Sequence, residues 1–148
     1  MLKRLFDLIF SAIGLFLLSP LLIIFVIWIK LGSPGPVFYR GVRAGKNFKP
    51  FRIYKFRSMV MNAEQIGGPS TPEDDARVTK PGRFLRRFKL DELPQLINVF
   101  KGEMSLVGPR PEVLRYANLY KGEEKIVYTV KPGMTDYASL WNIDEGAY

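Results

Sequence analysis

The chain has 148 residues and a formal net charge of +8, and it contains neither Cys nor His. Those two absences exclude disulfides, thiol nucleophiles, imidazole bases and the ordinary zinc ligands, leaving carboxylates, Lys, Arg, Tyr and hydroxyls to carry any chemistry. The excess of cations points to phosphorylated ligands, polyanions or an anionic membrane surface, and a hard metal such as Mg²⁺, held by carboxylate and phosphate oxygens, remains compatible. The length allows one modest domain with an appendage.

The N-terminal stretch from residue 8 to residue 29 is a run of roughly 22 uncharged, mostly apolar residues, long enough to span a bilayer. It has no small-residue cleavage pattern, so it does not read as a removed signal peptide. Ser19-Pro20 falls near its middle, where proline removes a backbone hydrogen bond. Both flanks are basic, Lys3 and Arg4 before it and Lys30, Arg40, Arg43, Lys46 and Lys49 after it. Two readings fit: a Pro-kinked transmembrane helix, or a re-entrant helical hairpin with both ends on the cytoplasmic side. In either, the carbonyl freed at the break needs a donor, for which the Ser19 hydroxyl is the candidate.

Gly32, Pro34, Gly35 and Pro36 then make a stiff linker. Two β-like runs follow, residues 37–40 and 51–59, joined by a turn-rich loop around Gly45. In a continuous strand Phe51, Ile53, Lys55 and Arg57 share one face. Lys55 and Arg57 at its end suit a phosphate contact, or else a solvated strand end beside lipid headgroups. Residues 62–81 read as a polar loop, and Asp74 and Asp75 there read as turn residues rather than metal ligands.

The densest chemistry lies in residues 80–112. Lys80, Arg83, Arg86, Arg87 and Lys89 precede two adjacent carboxylates, Asp91 and Glu92. Leu93, Leu96, Ile97 and Phe100 then repeat at helical spacing. Pro94 is tolerable only in a first turn, so the pattern predicts Asp91 at or near a helix N-terminus, where an ionised carboxylate and a bound anion are both favoured. Such a centre would handle phosphoryl groups; the plainer alternative is that Asp91 only caps a helix. Beyond it come a turn at Lys101-Gly102-Glu103, a short apolar run (104–107) and the rigid loop Gly108-Pro109-Arg110-Pro111-Glu112. The pattern predicts a helix over 112–125 and a strand over 127–130. The tail ends without a terminating pattern, so the domain is expected to be truncated at its C-terminus.

YKFRSM (54–59), GRFLRR (82–87), LDELPQLINVFKGEMSLVGPRPE (90–112) and VKPGMT (130–135), with the Ser-Pro inside the apolar segment, resemble the bacterial sugar transferases, the monotopic phosphoglycosyl transferases that act on a polyprenyl phosphate. The resemblance covers nearly the whole chain. It implies a membrane-associated α/β fold, with a re-entrant helical hairpin at 1–31 and a small cytoplasmic catalytic domain at 32–148 containing a short antiparallel sheet. It implies transfer of a sugar-1-phosphate from a UDP-sugar to polyprenyl (undecaprenyl) phosphate through a phosphosugar on Asp91, with release of UMP.

By the same resemblance Glu92 is the second catalytic carboxylate and Asp91 also contacts Mg²⁺. Lys55, Arg57, Arg86 and the Pro109, Arg110, Pro111, Glu112 loop lie near the substrate phosphates, and Ser19-Pro20 breaks the membrane helix. The implied location is the bacterial inner membrane, with lipid as partner and no nucleic acid. The oligomeric state stays open, a homodimer included. Two departures stand out: Arg40-Gly41-Val42-Arg43 where members often begin a loop with Gln-Arg, and Asp136-Tyr137-Ala138-Ser139 where many continue Gly-Trp-Ala-Gln. Members also extend further with interfacial helices, so the alternative reading is a catalytically incomplete, membrane-anchored scaffold.

Overall fold

The computed structural model describes residues 1–66 and 75–136. The first element, α1, is a single 31-residue helix from Leu2 to Gly32, ended by the Pro34-Gly35-Pro36 linker, which cannot continue it. Pro20 lies inside it. Proline leaves the carbonyl four residues earlier, Phe16 O, without its donor, and the Ser19 hydroxyl supplies one at 2.7 Å. The expected partner at the break is therefore present, and the chain is one helix by its hydrogen bonding, with no hairpin loop within it.

α1 is not separate from the remainder of the fold. One face docks along its whole length: Asp7, Ser11, Phe25 and Ile29 are buried, Gly14 lies against Leu96 and Gly32 against Pro81. The opposite face, from Leu5 and Phe6 through Ile13, Leu17 and Ile24 to Leu31, is exposed and apolar. By length and composition α1 is the one described helix able to cross a membrane. Its second half supplies the main core, where Phe25 and Ile29 meet Phe56 and Leu85, with Leu90 and Leu93 packed around them.

The expected antiparallel hairpin is present but interrupted. The strand β1 (Phe38–Tyr39) pairs with β4 (Lys55–Phe56), and inside it β2 (Val42–Ala44) pairs with β3 (Pro50–Arg52). Across the gap the Ile53 N–H donates to Gly41 O at 3.0 Å. The continuous strand expected over 51–59 breaks between β3 and β4, and the inward parity switches: Phe51 and Ile53 are buried, then Phe56. Period-two reasoning across the break put Lys55 and Arg57 on one face with Phe51 and Ile53. In the structure the break takes Lys55 off that face, and Arg57, past the end of β4, takes different partners from Lys55.

Among the helices, α2 (Ala63–Ile66) is a single turn, and Thr79 caps α3 (Lys80–Arg87) by accepting the Gly82 N–H at 3.1 Å. A 3₁₀ turn (Leu90–Glu92) leads to α4 (Gln95–Lys101). Gly102, at φ 85°, closes α4 in the left-handed conformation that glycine adopts without strain. The strand β5 (Ser105–Val107) pairs in parallel with β6 (Gly133–Thr135), a parallel pair the sequence pattern did not indicate.

Between β5 and β6 the structure corrects two expectations. The helix expected over 112–125 is only α5 (Leu114–Ala117), followed by a 3₁₀ segment (Gly122–Thr129) that takes in most of the expected 127–130 strand. Tertiary packing decides this: Tyr128 sits 4.3 Å from Phe48 and 5.4 Å from Tyr120 between ring centroids, in a cluster with Ala44 and Ala117. A continued helix would turn Tyr120 and Tyr128 out of register with Phe48.

Candidate active site

Asp91 stands near the start of α4, as expected, but is not its cap residue. It occupies the preceding 3₁₀ turn, and the N-cap of the seven-residue helix is Pro94, which makes no side-chain cap bond. What surrounds Asp91 is an ion pair. Lys55 Nζ lies 3.2 Å from Asp91 Oδ2 and 3.0 Å from Glu92 Oε1, while Asp91 is only 4% exposed.

The hydrophobic core holds this arrangement. Leu90 and Leu93, on either side of the two carboxylates, pack on the cluster that contains Phe56, the neighbour of Lys55. Lys89 leaves α3 at φ 53°, a left-handed conformation costly for a non-glycine residue. That turn redirects the chain so that Asp91 points inward.

Burial pushes the Asp91 carboxyl above its ordinary range; the Lys55 charge pulls it back, Glu92 pushes it further up, and Arg86 lowers it from longer range. For Lys55 burial acts downward, but the two carboxylates outweigh it and hold the ammonium above its usual value. The result is a desolvated carboxylate paired with one lysine and set next to a second acid.

An open cleft adjoins this pair on the Glu92 side, lined by Glu92, Arg110, Gly133, Met134, Thr135 and Asp136. Arg110 therefore reaches the same space as Glu92, the outer member of the dyad. The loop that carries it is pinned: Gly108 N–H donates to Thr135 O at 3.0 Å and Gly133 N–H to Pro109 O at 2.8 Å. A side chain on Gly133 would stand 2.0 Å from Gly108 N, so only glycine allows this approach. Behind the loop, Pro109 and Arg110 share a second hollow with Tyr128, whose hydroxyl is buried without a hydrogen-bond partner. Glu112 is half-buried, and its carbonyl accepts the Ala44 N–H at 2.8 Å.

Arg57 is placed elsewhere. Its guanidinium donates to Pro34 O at 2.6 Å and to Ser33 O at 2.8 Å, and it is 6% exposed. It clamps the linker after α1 and does not face Asp91. Asp75 is likewise engaged, 2.6 Å from Arg77, whose hydrogen bonds hold its pKa down to about 2; Asp74 and the Tyr137-Ala138-Ser139 departure lie outside the described residues. Two residues that sequence reasoning missed, Asn98 and Asp7, are polar side chains buried on otherwise apolar helix faces. That placement was the only available signal.

Among the described residues no group of three or more acidic ligands gathers. Lys55 engages one oxygen of each dyad member, which leaves the other oxygen of each free of it. A divalent ion would find two carboxylates at most, a set that fits Mg²⁺ only when a ligand's phosphate oxygens complete it.

The site is thus a buried carboxylate and a half-buried neighbour sharing one lysine, beside a cleft with an arginine at its edge. The chain belongs to the bacterial sugar transferase family, whose sequence model matches residues 1–146. It is 43% identical over 141 residues to a UDP-N-acetylgalactosamine-undecaprenyl-phosphate N-acetylgalactosaminephosphotransferase of Aeromonas hydrophila, covering 93% of this chain and 33% of that protein. It is 45% identical to the UDP-glucose:undecaprenyl-phosphate glucose-1-phosphate transferase of Escherichia coli (strain K12), over 95% of this chain and 31% of that one. A putative undecaprenyl-phosphate N-acetylgalactosaminyl 1-phosphate transferase of Bacillus subtilis (strain 168) is 46% identical over 82% of this chain and 68% of its own length. The chain thus spans about a third of the first two relatives.

Proposed function

We propose that this chain is the catalytic unit of a phosphoglycosyl transferase, moving a sugar-1-phosphate from a UDP-sugar to undecaprenyl phosphate. The observation that carries the reading is the buried Asp91, paired with Lys55 and adjacent to Glu92, which lines one cleft with Arg110. The names of the relatives support the donor and acceptor classes. They carry two different sugars at nearly equal identity, so identity alone does not select the sugar.

In the first step an Asp91 carboxylate oxygen bonds to the sugar-proximal phosphorus. The bridging P–O bond breaks, and its electron pair leaves on UMP. In the second, an oxygen of the lipid phosphate bonds to the same phosphorus, and the bond to Asp91 breaks to return the carboxylate. Covalent catalysis of this kind divides one difficult displacement into two. Lys55 keeps the nucleophile charged, Glu92 positions it and handles protons, and Arg110 and Arg86 bind donor phosphate oxygens. Asp91 and Glu92 would contribute the protein oxygens to Mg²⁺, which when bound neutralises charge on the diphosphate.

α1 is the anchor to the cytoplasmic membrane, with its exposed apolar face in lipid. Both of its ends are tied to the same domain, through Lys3, Arg4 and Asp7 at one end and Gly32 against Pro81 at the other. A span normal to the bilayer would have to strip that face from the core. The re-entrant topology, with Ser19-Pro20 as its break and both ends on the cytoplasmic side, keeps the contacts at both ends.

The direct test is incubation with a panel of UDP-sugars and undecaprenyl phosphate, scoring UMP release. One sugar should support turnover that EDTA abolishes and Mg²⁺ restores. Mass spectrometry after mixing with donor alone should find a phosphosugar on Asp91. Full turnover by Asp91→Asn would overturn the reading.

A further inference from the structure

The first two turns of α1 grip both chain segments that carry the site. Arg4 donates to Val99 O at 2.7 Å and to Phe100 O at 2.8 Å, carbonyls in the last turn of α4. Asp7 is 3% exposed, and its Oδ1 accepts from the Ser105 hydroxyl and the Leu106 N–H, both at 3.1 Å. Lys3 donates to the same hydroxyl and, at 3.0 Å, to Val107 O. The Ser105 N–H faces β6, donating to Pro132 O, so by strand alternation the Leu106 N–H lies on the edge of β5 away from β6. A helix carboxylate closes that open edge in place of a third strand.

Burying a carboxylate in an otherwise apolar helix is costly unless it is hydrogen-bonded. A helix serving only as an anchor would have no use for one in its second turn. β5 runs straight from this contact into Gly108-Pro109-Arg110, where Gly108 is clamped to β6 and prolines flank Arg110. Little slack lies between Leu106 and Arg110, so a displacement of β5 is a displacement of the arginine.

We infer that Asp7 is a positioning residue for Arg110, setting through β5 where the guanidinium stands on the cleft it shares with Glu92. The inference rests on the donor-phosphate role proposed above for Arg110. It makes the N-terminal turns of the membrane helix part of the donor site's architecture, so that α1 must be docked for the cleft to have its working shape.

The test is donor kinetics on the full-length chain in detergent micelles with undecaprenyl phosphate, comparing Asp7→Ala, Ser105→Ala, Arg110→Ala and the Asp7→Ala/Arg110→Ala double variant. Asp7→Ala should raise the donor KM about tenfold (~1.4 kcal/mol), with kcat within about twofold and the lipid KM unchanged. Ser105→Ala should shift donor KM the same way, by about threefold. The double variant should be no worse than Arg110→Ala alone, because the two changes act through one contact. Multiplying effects in the double variant would overturn the inference, as would loss of kcat, lipid KM and melting temperature together at constant donor KM. If Asp7→Ala does not accumulate as folded protein, Ser105→Ala decides: an unchanged donor KM there overturns the coupling. An unchanged donor KM in Arg110→Ala overturns the role of Arg110 and this inference with it. A raised KM in Arg110→Ala, unchanged in the other two single variants, overturns this inference alone.

Discussion

Asn98 Oδ1 accepts the backbone N–H of Tyr54 at 2.8 Å, and that bond sets where the next residue, Lys55, stands relative to Asp91. The same amide donates to Arg52 O at 2.9 Å and to Glu103 Oε2 at 2.7 Å. Asn98 is fully buried and bridges the gap between β3 and β4, so it ties the lysine's strand to the helix that follows the dyad. Asn98→Ala would leave the part-buried Tyr54 N–H and Arg52 C=O without this partner. At about 1–3 kcal/mol for each unsatisfied group, we expect a loss of about 3 kcal/mol, read as a clearly lowered melting temperature. A melting temperature within about a degree of the unaltered protein would show that Asn98 is not this staple.

Asp91→Asn should abolish turnover and also stabilise the fold. The folded state raises the pKa of Asp91, mainly by burial. A raised carboxyl pKa gives stability that is present at pH below the unfolded value and lost as pH rises through the folded value. At neutral pH the ionised side chain is therefore a net cost. We expect Asn to recover about 1 kcal/mol at pH 7 and the gain to shrink on acidification. A neutral-pH melting temperature lower than that of the unaltered protein would contradict this account.

Lys55→Met should move the acid limb of the pH–rate profile to higher pH. Burial already raises the Asp91 carboxyl, and among the named charges Lys55 is the largest that lowers it. Removing the ammonium leaves burial and Glu92 opposed only by Arg86, so protonation of the nucleophile begins at higher pH. The single-turnover rate of phosphosugar formation from donor alone, measured from pH 5 to 8, checks this. An acid limb that stays in place or moves down would mean that Lys55 does not govern Asp91.

The chain has no native Cys, so single thiols report topology cleanly. Cysteines placed near Met1 and near Lys46 should both resist a membrane-impermeant reagent in intact cells, because both ends of α1 are fixed to one domain. Pro20→Leu restores the backbone donor to Phe16 O and removes the proposed break. It should expose the Met1 probe in part of the population. Labelling at Met1 in the unaltered background, with Lys46 protected, would establish a transmembrane span instead.

Much of the site was legible before any tertiary information. The paired carboxylates, the basic residues before them and the proline-flanked Arg110 are contiguous, and their chemistry follows from residue type. The need for Ser19 to serve a carbonyl freed by Pro20 was legible for the same reason: both partners lie within one turn. Where pattern reasoning failed, a distant partner intervened. Arg57 was assigned by alternation to a phosphate contact beside Lys55, but the linker carbonyls of Ser33 and Pro34 take its guanidinium. The helix expected over 112–125 yielded to aromatic packing between Phe48 and Tyr128, eighty positions apart.

From residue order alone came the apolar N-terminal segment, the antiparallel hairpin and the acidic dyad inside a cationic stretch, because each is expressed within a few consecutive residues. Only the tertiary structure decided that Lys55 neutralises that dyad, that Asp91 precedes its helix without capping it, and that Asp7 closes the edge of β5. Those facts depend on groups 36, 37 and 98 positions apart (Lys55 with Asp91 and Glu92, Asp7 with Ser105) meeting at about 3 Å. Local propensity and periodicity carry no information about such meetings. The docking of α1, and the core of Phe25, Ile29, Phe56 and Leu85 that fixes it, determines them.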